Sequence, residues 1–393
     1  MSIRRLVAKV LAPKGGAAQT ASHRISLPKF VRAQRTSRQK PLVPILVAGL
    51  LLPLAACSRN ETPPPIEETV AAPIEPDREY PPEPVEPTPT EPPDKAWPLT
   101  GVPTYEIADR PALILKVENS NAARPQQGLE YADIVYEQVV EGGITRFVAV
   151  FDSQLPNTVY PVRSARGSDI GLVLPLGGVF GYSGANRRFV TQINNAGIQS
   201  LTYDNRNVGF SRISGRAAPH NIAADPNALL AQANSSRLAP APAQQVFAAT
   251  AEESSLVSGQ PAEHIRASMS NNQTTNWAWN PVIGKYERSD GAAPSMTVSG
   301  GQIAATNVIL LSVQMTIVQG ITDGAGTPVP EVILTGSGRA AFASGGKYLE
   351  GTWVKDSNTA PFQFLDSAGN EIKFAPGSTW VQLVPNTRSW SIY

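Results

Sequence analysis

The feature that most limits what this chain can fold into is a run of 41 residues, 58–98, with 13 prolines, ten acidic residues and three basic ones. Proline removes a backbone donor and fixes φ, and like charges at this density repel, so the run can neither complete a sheet ladder nor bury a core. It reads as an extended, polyproline-like spacer, reaching on the order of 100 Å at roughly 3.1 Å per residue. Globular structure is therefore expected downstream, in 99–393, where 22 acids stand against 20 bases.

Upstream, the first forty residues hold ten basic side chains and no acid, and "PLVPILVAGLLLPLAAC", Pro41 to Cys57, carries no charge. A basic start, an apolar stretch and small residues before a cut site is the order of a secretory signal. With Pro44 and Pro53 inside it, the apolar run falls short of the roughly 20 residues of a membrane span. "LAAC", Leu54 to Cys57, resembles the lipobox of bacterial lipoproteins, in which the cysteine is lipidated and becomes the new N-terminus. Cys57 is the only cysteine among 393 residues. No intrachain disulfide can form, and the residue falls where lipidation needs it. Residues 1–57 thus read as a lipoprotein signal peptide, and the body is expected on the extracytoplasmic face of the bacterial cell membrane, held by its lipid. Without them, 23 basic residues face 32 acidic ones, a net charge of −9. That balance suits nonspecific nucleic-acid binding poorly, and no nucleic-acid partner is expected.

Within 99–393 two regions differ in pattern. In 99–255, "PALILKVEN" and "TRFVAVFD" read as buried strands. "ADIVYEQVV" fits strand or helix. "SDIGLVLPLG" reads as a short helix with Ser168 as N-cap and Asp169 in its first turn. "GGVFGYSG" reads as a strand, and "NRRFVTQINNAG" as a helix closed by Gly197. This mixture predicts an α/β or α+β domain. In 256–393, short alternating runs separated by Gly and Pro turns, with a hairpin at "DSAGNE", predict a mostly antiparallel β domain, with Trp353, Trp380 and Trp390 at core or face positions.

The series "ARPQ", "ADIVYE", "EGGITRF" and "PVRSAR" between Arg110 and Arg166, continued by "RISGRAAPHN", "WAWNPVIGKYER" and "GTWVKD", resembles the YerB-like lipoproteins of Gram-positive bacteria. The resemblance covers most of 105–390. It implies a two-part domain of unknown function on a lipoprotein anchor, and brings no substrate or catalytic residues.

The candidate chemistry centres on Arg163, Ser164 and Arg166. Guanidinium forks bind phosphate or carboxylate bidentately, and the free amides of a helix start at Ser168 would favour the same anion. Arg146, Arg187, Arg188, Arg212 and Arg216 are further candidates for one basin, as are His220, a base toward Ser164 if the fold joins them, and Asn221. The plain alternative is that Glu137 and Glu141, four apart on a helix, pair with Arg146 or Arg163. Neither an HExxH nor paired cysteines occur, so no cofactor or metal is expected. Asp133, Glu137 and Glu141 are the one carboxylate set able to hold a cation. The main expectation is a binding or scaffolding role toward an anionic ligand, an envelope polymer or an envelope protein. The alternative is a phosphotransferase or hydrolase acting on an anionic or polyprenyl-pyrophosphate-linked polymer. Its order of elements loosely resembles the LytR–CpsA–Psr phosphotransferases, which implies Asp133 as the acid and Arg163 and Arg166 as pyrophosphate clamps.

Overall fold

The computed structural model describes residues 92–393, so Cys57 and most of the spacer lie outside it. The end of the spacer is part of the fold. Lys95–Ala96 pairs with Pro103–Thr104, and Trp97 and Thr100 turn the chain between them.

The first region supplies β1 (Leu113–Glu118), β2 (Ile134–Val139), β3 (Thr145–Phe151), α1 (Asp169–Val173), β4 (Val179–Tyr182), α2 (Arg187–Asn195), β5 (Gln199–Thr202), β6 (Phe210–Arg212), β7 (Ile222–Ala224) and α3 (Pro226–Leu230). The second supplies β8 (His264–Ser268), β9 (Thr274–Asn280), β10 (Lys285–Asp290), β11 (Asn307–Thr322), β12 (Pro328–Ile333), β13 (Gly336–Ser344), β14 (Lys347–Lys355), β15 (Gln363–Asp366), β16 (Thr379–Pro385) and β17 (Trp390–Ile392). Strand outweighs helix throughout, and the three α-helices have only five, nine and five residues.

One sheet of 12 strands runs through both regions, in the order Gln260–Pro261, β14, β13, β11, β16, β2, β3, β1, β4, β5, with β12 beside β11 and β15 beside β14. The joint is parallel: Thr379 to Gln382 of β16 pair with Ile134 to Glu137 of β2. A second, six-stranded sheet carries β10, β9, β8 and β17 in that order. The antiparallel expectation holds for most of the second region, but β11 and β16 are parallel.

The sequence "ADIVYEQVV" is strand, not helix, and its alternation sorts the core. Leu113, Leu115, Val117, Val135, Phe147 and Ala149 face one cluster with Trp277, Tyr286 and Trp380, beneath the second sheet. Ile114, Ile134, Tyr136, Val148 and Val150 face the other cluster, with Leu172, Phe180 and Ile193. Each fully buried side chain of this size contributes about 1.5–3 kcal/mol over exposure. Ser168 does not cap α1. Its backbone is already right-handed helical, and its Oγ donates to Gln138 Oε1 at 2.8 Å. On α2, Asn186 caps the first turn by accepting from the Arg188 N–H, and Gly197 (φ +73°) ends the helix as expected.

Candidate arginine pocket

The floor of the site is a polar corner in an otherwise apolar sheet face. At the ends of β1, β2 and β3, Lys116, Glu118, Gln138 and Arg146 occupy positions of the same parity as Ile114, Ile134 and Val148. In register, Glu118 and Gln138 both stand beside Arg146. The "VRSAR" segment crosses this corner extended, tied on both sides. The Arg163 N–H donates to Lys116 O, Ala165 N–H to Gly184 O, and Ser183 N–H to Arg163 O. It thus bridges the ends of β1 and β4, which are parallel neighbours. The crevice beyond the carboxyl ends of parallel strands is where open sheets with helices hold ligands.

Beneath the segment, Lys116 Nζ lies 2.6 Å from Asp169 Oδ1, with both side chains fully buried. Burial draws the Lys116 pKa down to about 8 against the pull of Asp169. Asp169 also accepts from the Arg166 backbone N–H at 2.7 Å. The first amides of α1 are taken as well, Asp169 N–H by Arg166 O and Ile170 N–H by Gly167 O. The helix that turns its start toward the cavity is α2, through Asn186 and Phe189.

The arginines converge as expected, but with different partners. Arg166 forms a two-pronged pair with Glu141, at 2.6 Å from Nε and 2.6 Å from Nη2. Burial acts to raise the Glu141 pKa, but these hydrogen bonds and the Arg166 and Arg146 charges leave it below its ordinary value. Arg146 donates one bond, to Ser164 O at 2.9 Å, and its Nη2 stays 3.8 Å from Glu141. Its Nε is buried with no partner. Burial, with the like charges of Arg166 and Arg163, brings the Arg146 pKa down to about 9. Arg163 reaches only Glu118, at 3.3 Å through Nε. Together these side chains line a cavity of about 500 Å³, closed by Ala185 and Phe189 of the α2 region, by Asp204, and by Ile321, Asp323 and Val329. The last three come from an arm. Beyond Val313, β11 leaves the main sheet and pairs with β12 alone. Val318, Ile321 and Val329 pin that arm on Phe189.

Other candidates lie elsewhere. Glu137 points to the opposite face of β2, because alternation places it with Val135. There it accepts from Arg288 Nη2 at 3.0 Å and from Thr145 and Thr275. It pairs with neither Arg146 nor Arg163. Asp133 precedes β2 while Glu141 follows it, and six residues of strand span about 20 Å. Asp133 accepts from the Asp152 and Ser153 backbone and from Ser153 Oγ, beside a separate cavity of about 210 Å³. Burial raises its pKa. The neighbouring Asp152 is pushed up to about 6, by burial and by Asp133. The three carboxylates are not one site, and no cluster able to hold a metal occurs among the described residues.

Arg212, Arg216, His220 and Asn221 form a separate hairpin group. Arg212 donates to Asn221 Oδ1 and Tyr203 OH, and Arg216 to the carbonyls of Ala123 and Pro125. His220 meets Glu118 at 2.9 Å, so it touches the pocket only through the carboxylate it shares with Arg163. Ser164 Oγ faces Ser183 Oγ at 3.4 Å, not His220. Arg187 and Arg188 are exposed on α2, where Arg188 reaches Gln319 O. Sequence reasoning missed Lys116, Glu118 and Gln138. The signal was available: charged and amide side chains at core parity in runs such as "LILKVE".

The sequence and the fold agree with a known class. Residues 99–239 match the N-terminal domain, and 265–381 the C-terminal domain, of the family described as protein of unknown function DUF3048, together well over half of the 393-residue chain. The chain belongs to that family, as its resemblance to YerB-like lipoproteins implied. It is 28% identical over 310 residues, 75% of this chain and 88% of the relative, to "Putative lipoprotein YerB" of Bacillus subtilis (strain 168). It is also similar to the crystal structure of the YerB protein from Bacillus subtilis, with a TM-score of 0.65 and 25% identity, covering 76% of this chain and 99% of that one.

Proposed function

We propose that this protein is a lipid-anchored, extracytoplasmic binding protein of the cell envelope, with Cys57 as the lipidated residue and the arginine pocket as its binding site. Its ligand is an anion: a phosphate- or carboxylate-bearing envelope component, or an acidic segment of an envelope partner. The observation that carries the reading is Arg146. A guanidinium with a side chain only 7% exposed keeps its Nε without a partner and its Nη2 3.8 Å from the nearest carboxylate. It does so beside two further arginines on one cavity. Leaving a buried donor unpaired costs about 1–3 kcal/mol, more when it is charged. Arg146 lines the cavity, and its Nη2, 3.8 Å from Glu141, is the donor that an anionic oxygen there would meet. The anchor reading rests on "LAAC" and on the similarity to a protein named as a lipoprotein.

The test is the thermal midpoint of the full chain against inorganic phosphate, pyrophosphate and a teichoic-type polymer, beside Arg163→Gln. Arg163 is chosen because its side chain is 21% exposed and holds one carboxylate at 3.3 Å. An anion that raises the midpoint of the wild type but not of Arg163→Gln supports the reading. A midpoint that no anion moves refutes it.

A further inference from the structure

The arginines do not have the cavity to themselves. Asp204 and Asp323 line it as well. Their carboxylates are not paired with the arginines, whose ion-pair partners are Glu118 and Glu141. Asp204 follows β5 and lies against Gly184, next to the "VRSAR" segment. A Cβ at residue 184 would collide with Asp204 Oδ2, so glycine at this position is what admits the carboxylate to the wall. Asp323 sits at the tip of the β11–β12 arm. Its Oδ1 accepts from the N–H groups of Ala325 at 2.9 Å and Thr327 at 2.8 Å, which fixes the side chain on the rim. The Arg166 charge reaches it across the cavity.

Ion pairs away from the cavity close at 2.6–3.0 Å, as Lys116 does on Asp169 and Arg288 on Glu137, and at the cavity itself Arg166 closes on Glu141 at 2.6 Å. Arg146 and Arg163 do not close on Asp204 or Asp323. They keep unfilled donors, the two aspartates keep acceptor capacity, and Phe189, Ile321 and Val329 line the same cavity. A purely anionic ligand would meet two carboxylates facing it. A ligand bearing both signs would find a partner for each among the lining residues.

Resting on the reading of the cavity as an anion site, we propose that its ligand is a zwitterion. The phosphate or carboxylate sits on Arg146 and Arg163, and an ammonium group sits toward Asp204 and Asp323. The class is that of amino-alkyl phosphates and amino acids, free or as the end group of a larger envelope molecule. The volume of about 500 Å³ is within the range of sites for such small molecules.

Calorimetric titration of the full chain with two matched pairs tests this. One is O-phosphoethanolamine against ethyl phosphate, the other β-alanine against propionate. Within at least one pair, the zwitterion should bind ten-fold or more tightly than its ammonium-free counterpart. Asp204→Asn/Asp323→Asn should erase that preference while binding the plain anion more tightly, since two opposing charges are gone. Asn at 323 keeps the Oδ1 acceptor of the turn, so the fold is retained. Equal affinity within both pairs overturns the zwitterion and leaves the anion pocket standing. No binding of any probe, nor of inorganic phosphate or pyrophosphate, overturns both.

Discussion

Two arginine networks grow from the same strands and face opposite ways. On the face under the second sheet, Arg288 is fully buried and gives both ends of its guanidinium to carboxylates, Glu137 at 3.0 Å and Asp290 at 2.7 Å. Arg124 completes the set at 2.7 Å from Asp290, and Thr145, Thr275 and Ser295 fill the remaining acceptors. Asp290 is held down at about 2, because the Arg288 charge and hydrogen bonds overcome its burial. On the other face, Arg146, Arg163 and Arg166 share Glu141 and Glu118 unequally, and their surplus donors line an open cavity. The first network is a closed bridge between the two sequence regions, since Glu137 comes from β2 and Arg288 from β10. The second is left incomplete. Charge alone therefore does not mark a functional arginine. Nor does an unpaired Nε, since that of Arg288 is buried without a partner as well; what separates the two networks is that Arg146, Arg163 and Arg166 line the cavity and Arg288 does not.

The comparison can be broken by measurement. The largest effect is expected from Glu137→Gln, which strands a fully buried guanidinium beside a single remaining acid pair. Removing one partner of such a pair costs about 3–5 kcal/mol, read as a lowered urea midpoint, and added phosphate should not restore it. Glu141→Gln should cost less, about 2–3 kcal/mol, and here phosphate should recover part of the loss, because the stranded arginines face a cavity an anion can enter. An unrecovered loss at Glu141 as large as that at Glu137 would make the two networks alike.

The next test is pH. Asp290 has a folded pKa near 2 against an ordinary 3.8. Its contribution is thus complete above about pH 4 and is lost as pH falls toward 2. At about 1.4 kcal/mol per unit this is about 2 kcal/mol, and the wild-type midpoint should fall through that window more steeply than that of Asp290→Asn. Parallel curves would contradict the closed network. The smallest expected effect on stability is Arg163→Gln, below about 0.5 kcal/mol, with a ten-fold or greater loss of anion affinity.

Much of the architecture was legible because periodicity carries it. The buried runs around Leu113–Glu118 and Thr145–Phe151, the capped helix ending at Gly197 and the alternating strands of the second region all follow from local pattern. The convergence of Arg146, Arg163 and Arg166 was legible too, since two lie in one short segment. The partners were not. With "ADIVYEQVV" open between helix and strand, Glu137 and Glu141 sat on one helical face. As a strand, alternation sends Glu137 through the sheet to Arg288, whose position 151 residues away no local pattern reveals. The same distance hid Asp323, brought over the cavity only because β11 outruns the sheet and turns back as β12. Arg212, Arg216 and Asn221 were drawn in by charge and proximity in sequence, yet Arg212 bonds to Asn221 within the hairpin and Arg216 to the carbonyls of Ala123 and Pro125, away from the cavity.

The most direct measurement of the central claim is a crystal structure of the protein grown with pyrophosphate. Density is expected in the cavity, with oxygens within hydrogen-bond reach of Arg146 Nη2 and the Arg163 guanidinium while Arg166 stays on Glu141. An empty cavity, or an anion held at Arg212 and Arg216 instead, would contradict it.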